Sequence, residues 1–169
     1  LSGLTQNTSY DVRVRTDCGT GYSTWVTTDF TTGCMVGGDV TIGTGSTTNS
    51  YLPFYGLYNY TYSQQIYDAS ELNMGAGEIN SISFYCSSAP TSTTTGDIRI
   101  WMANTTKSTF STATDYISPS NLTEVCYVQG NRPITVGWNT FTLTQPFMYD
   151  GTSNLVVAYY EGYSTYSSS

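Results

Sequence analysis

Tyrosine is the residue type in this chain with the clearest capacity for binding chemistry. Tyr51, Tyr55, Tyr58, Tyr60, Tyr62 and Tyr67 crowd into one short stretch. Side chains alternate along an extended strand, so Tyr58, Tyr60 and Tyr62 share a face there. If that face meets solvent, it forms with Tyr55 an aromatic platform bearing hydroxyls, suited to sugar rings or to a protein surface. If it is buried, the same residues are one wall of a core. Tyr159, Tyr160, Tyr163 and Tyr166 form a second candidate patch near the C-terminus.

Glycosidic or acid–base chemistry asks for two carboxylates held about 5 to 9.5 Å apart in a cleft. Asp68 and Glu71, in YDASEL, are the close pair placed on an expected turn. A capped turn or calcium ligation through hard oxygens accounts for them more simply than catalysis. No DxDxDG-type loop accompanies them, so calcium is a candidate ligand without a motif. Asp150, in MYDGTSN, reads as part of an Asp-Gly turn. The chain has no histidine, which excludes a Ser-His-Asp triad, a Cys-His pair and any imidazole zinc site within it. The four cysteines, Cys18, Cys34, Cys86 and Cys126, show no CxxC spacing. The chain is therefore expected to be non-catalytic.

The charge balance narrows the partners. A formal net charge of -7 with five Lys plus Arg leaves little for counter-ion release on nucleic acid or for attraction to an anionic membrane. The longest clean apolar run, Leu155 to Tyr160, spans about six residues where a membrane helix needs roughly 20. Only 10% of residues are charged while 15% are aromatic, so the chain should fold, with a surface of Ser, Thr, Asn and Tyr. Such a composition is most economically read as an extracellular, secreted or cell-surface β-protein. The opening LSGLTQNTSY lacks an initiator Met and the pattern of a signal peptide, so the sequence reads as a fragment of a larger protein.

Strands must position these residues. Tyr10, Val12 and Val14 alternate with charged residues, and Val26, Thr28 and Phe30 do so with polar ones, predicting a hairpin around the Gly-rich turn 16–23. Leu4 and Tyr10 have the spacing of a tyrosine corner. After a glycine-dense boundary, strands are expected at 40–42, 58–62, 64–67, 79–86, 97–103, 125–128, 138–144 and 155–160. Ile82, Phe84 and Cys86 share one face, Ile98, Ile100 and Met102 another, Phe141 and Leu143 a third. The continuous run at 155–160 predicts a central strand. Single helical turns fit 68–72 and 118–122, with Asp68 or Ser120 as a cap. Short strands separated by Gly, Pro, Asn and Ser clusters predict an antiparallel β-sandwich of jelly-roll type.

Two resemblances add to this reading. The segment LSGLTQNTSYDVRVRTDCGTGYSTWVTTDFTT resembles the last two strands of a fibronectin type III domain, an immunoglobulin-like sandwich, so residues 1–33 are expected to be a partial domain of that kind. VTIGTGSTTNSYLPFYGLYNYTYSQQIYDASEL, GEINSISFY, IRIWMANTTKSTF and GWNTFTLTQPFMYDGTSNLVVA together resemble the cleaved-adhesin jelly rolls of secreted Bacteroidetes-type proteins. That resemblance implies an adhesin-like jelly roll over 34–169, truncated at its C-terminus, and an extracellular location.

Cysteine pairing depends partly on that resemblance. Cys18 and Cys34 flank a strand and so lie some tens of Å apart, against a limit of roughly 7 Å between bridged Cα atoms. Cys86 and Cys126 are additions to the adhesin-like pattern, and a disulfide between them is expected, with two buried thiols as the alternative. Function follows the same logic: a non-catalytic adhesion module binding carbohydrate or a cell-surface protein through Tyr55, Tyr58, Tyr60 and Tyr62. An accessory domain of a secreted protease or glycoside hydrolase, or a structural spacer, is the alternative.

Overall fold

The computed structural model describes residues 8–31, 38–53, 60–88, 96–130 and 132–162. Their strands are all antiparallel. β1 (Ser9–Val14) and β2 (Val26–Thr31) form the expected hairpin, with Tyr10 opposite Phe30 and Val14 opposite Val26. Opposed residues share a face, so the hairpin is apolar on one side and carries Asp11, Arg13 and Asp29 on the other. The Tyr10 and Phe30 rings stack at 5.9 Å. Leu4, the other half of the proposed corner, lies outside the described residues.

The remaining elements are β3 (Tyr60–Tyr67), the single turn α1 (Ala69–Leu72), β4 (Gly77–Cys86), β5 (Asp97–Thr105), β6 (Thr123–Val128), β7 (Gly137–Tyr149) and β8 (Asn154–Gly162). A four-stranded sheet in the order β3-β8-β5-β6 packs on the β4-β7 pair as a β-sandwich. The predicted faces meet in its core. Ile98, Ile100, Met102, Val157 and Tyr159 of the larger sheet face Ile82, Phe84, Phe141 and Leu143 of the smaller. The Tyr159 ring meets Phe84 at 5.6 Å and Phe141 at 5.9 Å, edge to face at both contacts. Burying each such side chain contributes about 1.5 to 3 kcal/mol.

β8 is central, as its apolar run predicts, and even its outward residues Val156 and Ala158 are fully buried. Their cover is the excursion 106–122 between β5 and β6. Asn154 donates to Lys107 O at 3.1 Å and Gln64 clasps the backbone of Ile117, which ties the excursion across the sheet's outer face.

Three details depart from the sequence pattern. The expected strands 58–62 and 64–67 are one over their described part, because Tyr60 to Tyr67 pairs with β8 without interruption; residues 58 and 59 lie outside the described residues. The polar residues that suggested a break are used in place: Ser63 Oγ donates to Pro53 O at 2.7 Å and Gln64 holds the excursion. β7 continues past Thr144 to Tyr149, and Pro146 falls where the β4–β7 register shifts, a stretch that tolerates a missing N–H. Residues 40–42 join no ladder, although Ile42 packs against the core.

The expected Cys86–Cys126 disulfide is not formed. Cys126 lies on the inner face of β6 and its thiol points to Thr142 O at 3.5 Å. Cys86 stands opposite Gly137 and its thiol points to Ser88 O at 3.4 Å. Gly137 and Thr142 are five residues apart on β7, about 16 Å along a strand, well beyond disulfide reach. Cys18 is also a free thiol, and Cys34 lies outside the described residues.

Candidate functional site

The outer face of the four-stranded sheet gathers aromatic residues in register. Tyr62 on β3 opposes Tyr160 on β8, Tyr160 opposes Arg99 on β5, and Arg99 opposes Tyr127 on β6. The neighbouring row runs Gln64, Ala158, Trp101, Glu124. Each of these outward residues alternates with a core residue, so burial of Ile98, Ile100 and Met102 forces Arg99 and Trp101 outward. Tyr60 is 70% exposed and Tyr62 45% exposed, so these two tyrosines of β3 face solvent, while Tyr67 at its other end packs against the core. Tyr55 and Tyr58 lie outside the described residues.

Contacts between the rings give the face its relief. Tyr60 and Tyr160 stack at 6.5 Å, and Tyr62 meets Trp101 edge to face at 6.3 Å. A Cβ built on Gly162 would come within 2.5 Å of the Tyr160 hydroxyl, so the ring lies flat over the sheet because residue 162 has no side chain. At the far end the Arg99 guanidinium sits 4.6 Å over the Tyr127 ring and pairs with Glu124 at 3.2 Å. The Tyr127 hydroxyl donates to Asp97 at 3.1 Å, and this bond, followed by desolvation and the Asp97 charge, raises its pKa.

A groove of about 580 Å³ adjoins the platform, lined by Tyr62 and Gln64 on the sheet and by Phe110, Asp115, Tyr116 and Pro119 of the excursion. Gln64 fixes the distance between its walls: Ile117 N–H donates to Oε1 at 2.9 Å and Nε2 donates to Ile117 O at 2.8 Å. Nε2 also lies 2.7 Å from the Tyr62 hydroxyl. The excursion is braced by Asp115, which accepts from Lys107 Nζ at 2.6 Å and from the N–H and hydroxyl of Ser111. Those bonds, the Lys107 one foremost, hold the Asp115 carboxyl down at about 2.

The carboxylate pair serves its own turn. Glu71 turns back to accept the Asp68 N–H at 3.2 Å, while Asn154 Oδ1 accepts the next N–H, that of Ala69. Burial, followed by the Glu71 charge, pushes the Tyr67 hydroxyl up to about 12. Asp150 accepts from the N–H groups of Thr152 and Ser153 in an Asx-type turn, and the Ser153 hydroxyl, followed by the Ser153 and Thr152 N–H groups, lowers its carboxyl to about 2. Among the described residues no three His, Cys, Asp or Glu side chains gather as a metal site.

Of the C-terminal tyrosines, Tyr160 joins the platform and Tyr159 is buried in the core, while Tyr163 and Tyr166 lie outside the described residues. Sequence reasoning missed Trp101, Arg99 and Tyr127. The signal was present in IRIWMA, where the two residues alternating with Ile98, Ile100 and Met102 had to face away from the core. No protein-family model, curated protein or solved structure matches the chain.

Proposed function

We propose that this chain is a non-catalytic binding module of a larger secreted or cell-surface protein, and that it takes carbohydrate on the outer face of the four-stranded sheet. The observation that carries this reading is the cluster of outward rings, exposed Tyr60 and Tyr62 with half-buried Tyr160 and Trp101 against them, beside a groove walled by Gln64 and the excursion. Flat rings stack on the C–H faces of pyranoses, and the tyrosine hydroxyls at their edge supply hydrogen bonds in the plane of the sugar. The low charge, the acidic balance and the resemblance to adhesin-like and fibronectin type III modules support an extracellular setting. The carboxylates described above are occupied in turns, a brace and ion pairs, an arrangement that favours binding over catalysis.

A protein surface is the second reading, favoured by the Tyr-Tyr-Arg-Tyr row, since Tyr, Trp and Arg dominate interface energetics. A glycan array probed with the chain and with a Tyr60→Ala, Tyr62→Ala, Trp101→Ala variant of unchanged circular dichroism tests the first reading. Glycan retention that the variant loses supports it. Retention unchanged in the variant, or no glycan bound by either protein, overturns it.

A further inference from the structure

The β4–β7 pair turns its inner face to the core, so its outer face points away from the platform, on the opposite side of the sandwich. That outer face is unusual for an unpartnered surface. Tyr85 and Trp138 oppose each other in register, 62% and 57% exposed, with ring centroids 5.4 Å apart and edge to face. Next along the strands Ser83 and Thr140 share a hydroxyl bond of 2.8 Å, and Ser81 opposes Thr142 beyond them. Two large aromatics standing in water lose apolar contact that a flat ligand could supply, and neither is needed for the core.

We infer that this strip is a second saccharide site, specific for neutral sugars, which makes the module bivalent. Its chemistry points to that occupant. The six side chains of the three rows carry no charge, and the chain's net charge of -7 disfavours anionic ligands. None of the three rows carries an aliphatic side chain; exposed Met148 lies on the same face but past the register shift, opposite the charged Glu78, and exposed Val136 precedes β7, so the rows themselves lack the dry centre of a protein interface. What it offers is an indole and a phenol at one end and a ladder of hydroxyls at the strand repeat of about 6.8 Å, a pattern of stacking plus hydrogen bonding that polyols match. The inference shares the ligand class with the platform reading and uses none of its residues. Because the two sites diverge, one short oligosaccharide cannot occupy both, and bivalency cross-links polymers.

Affinity electrophoresis through soluble neutral β-glucan, xylan, mannan and galactan identifies the retaining polymer, and calorimetric titration with its hexasaccharide counts sites. The chain is expected to bind two hexasaccharides and to precipitate the polymer. Trp138→Ala is expected to bind one and to precipitate nothing, and a Tyr62→Ala, Trp101→Ala variant likewise, each with unchanged circular dichroism. Stoichiometry and affinity untouched by Trp138→Ala overturn the second site while leaving the platform reading intact. Binding abolished by Trp138→Ala but untouched by Tyr62→Ala, Trp101→Ala overturns the platform reading instead. Failure of every polymer to retain the chain overturns both. A dimer in sedimentation that Trp138→Ala converts to monomer assigns the strip to a second copy and overturns the saccharide site.

Discussion

Gln64→Leu tests whether one side chain builds the groove. The glutamine sits on the outer face of β3 and satisfies both backbone groups of Ile117, at 2.9 and 2.8 Å, across 53 positions of sequence. Leucine fills a similar volume and makes neither bond. A typical intramolecular hydrogen bond contributes about 1 kcal/mol net, so losing two costs about 2 kcal/mol if water reaches the freed groups. For a chain of this size that lowers the melting midpoint by about 4 to 8 °C. The cost should be local. Amides of 111–119 should exchange faster with solvent, whereas the amides of β5 and β8 should keep their protection relative to the new global stability. Glycan affinity should fall by more than the stability loss explains at a temperature where both proteins are folded, because the Phe110 to Pro119 wall is no longer held. Unchanged exchange at 111–119, or a wild-type melting midpoint, would refute the assignment of Gln64 as the clasp. Faster exchange with unchanged glycan affinity would remove the groove from the site and leave the platform alone.

Gly162→Ala should weaken glycan binding with little change in stability, since the new methyl meets the end of the flexible Tyr160 side chain, not backbone; equilibrium unfolding and affinity electrophoresis read the two effects separately. Glu161 is buried, its Oε1 accepts from Gly96 N–H at 3.4 Å, and its Oε2 has no hydrogen-bond partner, so burial raises its carboxyl pKa. A carboxyl raised on folding stabilises the protein below its unfolded pKa and loses that contribution as pH rises through the folded value. Glu161→Gln should therefore gain in stability relative to the parent as pH rises from 4 to 7, read in urea titrations. Asp115 has the opposite sign: lowered to about 2, it stabilises the excursion fully above the ordinary carboxyl range and loses that effect progressively as pH falls from there through about 2. Parent and Asp115→Asn should therefore differ at pH 5 in exchange at 107–115 and converge below pH 2. Reductant should leave the melting midpoint of the sandwich unchanged, and a thiol reagent should modify exposed Cys18 long before buried Cys126, whose pKa is raised by desolvation.

The sandwich was legible wherever burial and alternation coincide. Ile98, Ile100 and Met102 all reach zero exposure on one face of β5, and Leu155 to Tyr160 occupies the central strand because both of its faces are covered. Legibility failed where a polar residue's partner is distant in sequence. Ser63 and Gln64 resembled a break in β3 because the carbonyl of Pro53 and the backbone of Ile117, which satisfy them, cannot be found by local pattern. The cysteines failed for the same reason. Two residues can each look exceptional in their strands, yet their separation depends on which sheet and which level each strand occupies. Tyr159 and Tyr160 illustrate the limit of composition: adjacent, identical and oppositely directed, one holds the sheets together and the other lies on the platform.

The same excursion explains why the outer sheet face can be both core-like and receptive. A sheet with Val156 and Ala158 directed outward would expose an apolar strip if left bare, and the 106–122 segment removes that strip from water. Covering only part of the face leaves an edge, and a groove forms where the cover stops, beside Tyr62 and Gln64. The aromatic rows then begin where the cover ends. Tyr60 and Tyr62 keep solvent-facing surface because they lie beyond the level of Gln64 that the excursion clasps, whereas Trp101, on that same level, is half-buried. A shortened excursion would expose Val156 and flatten the groove, so the stability of this sheet and the shape of the proposed site depend on the same seventeen residues.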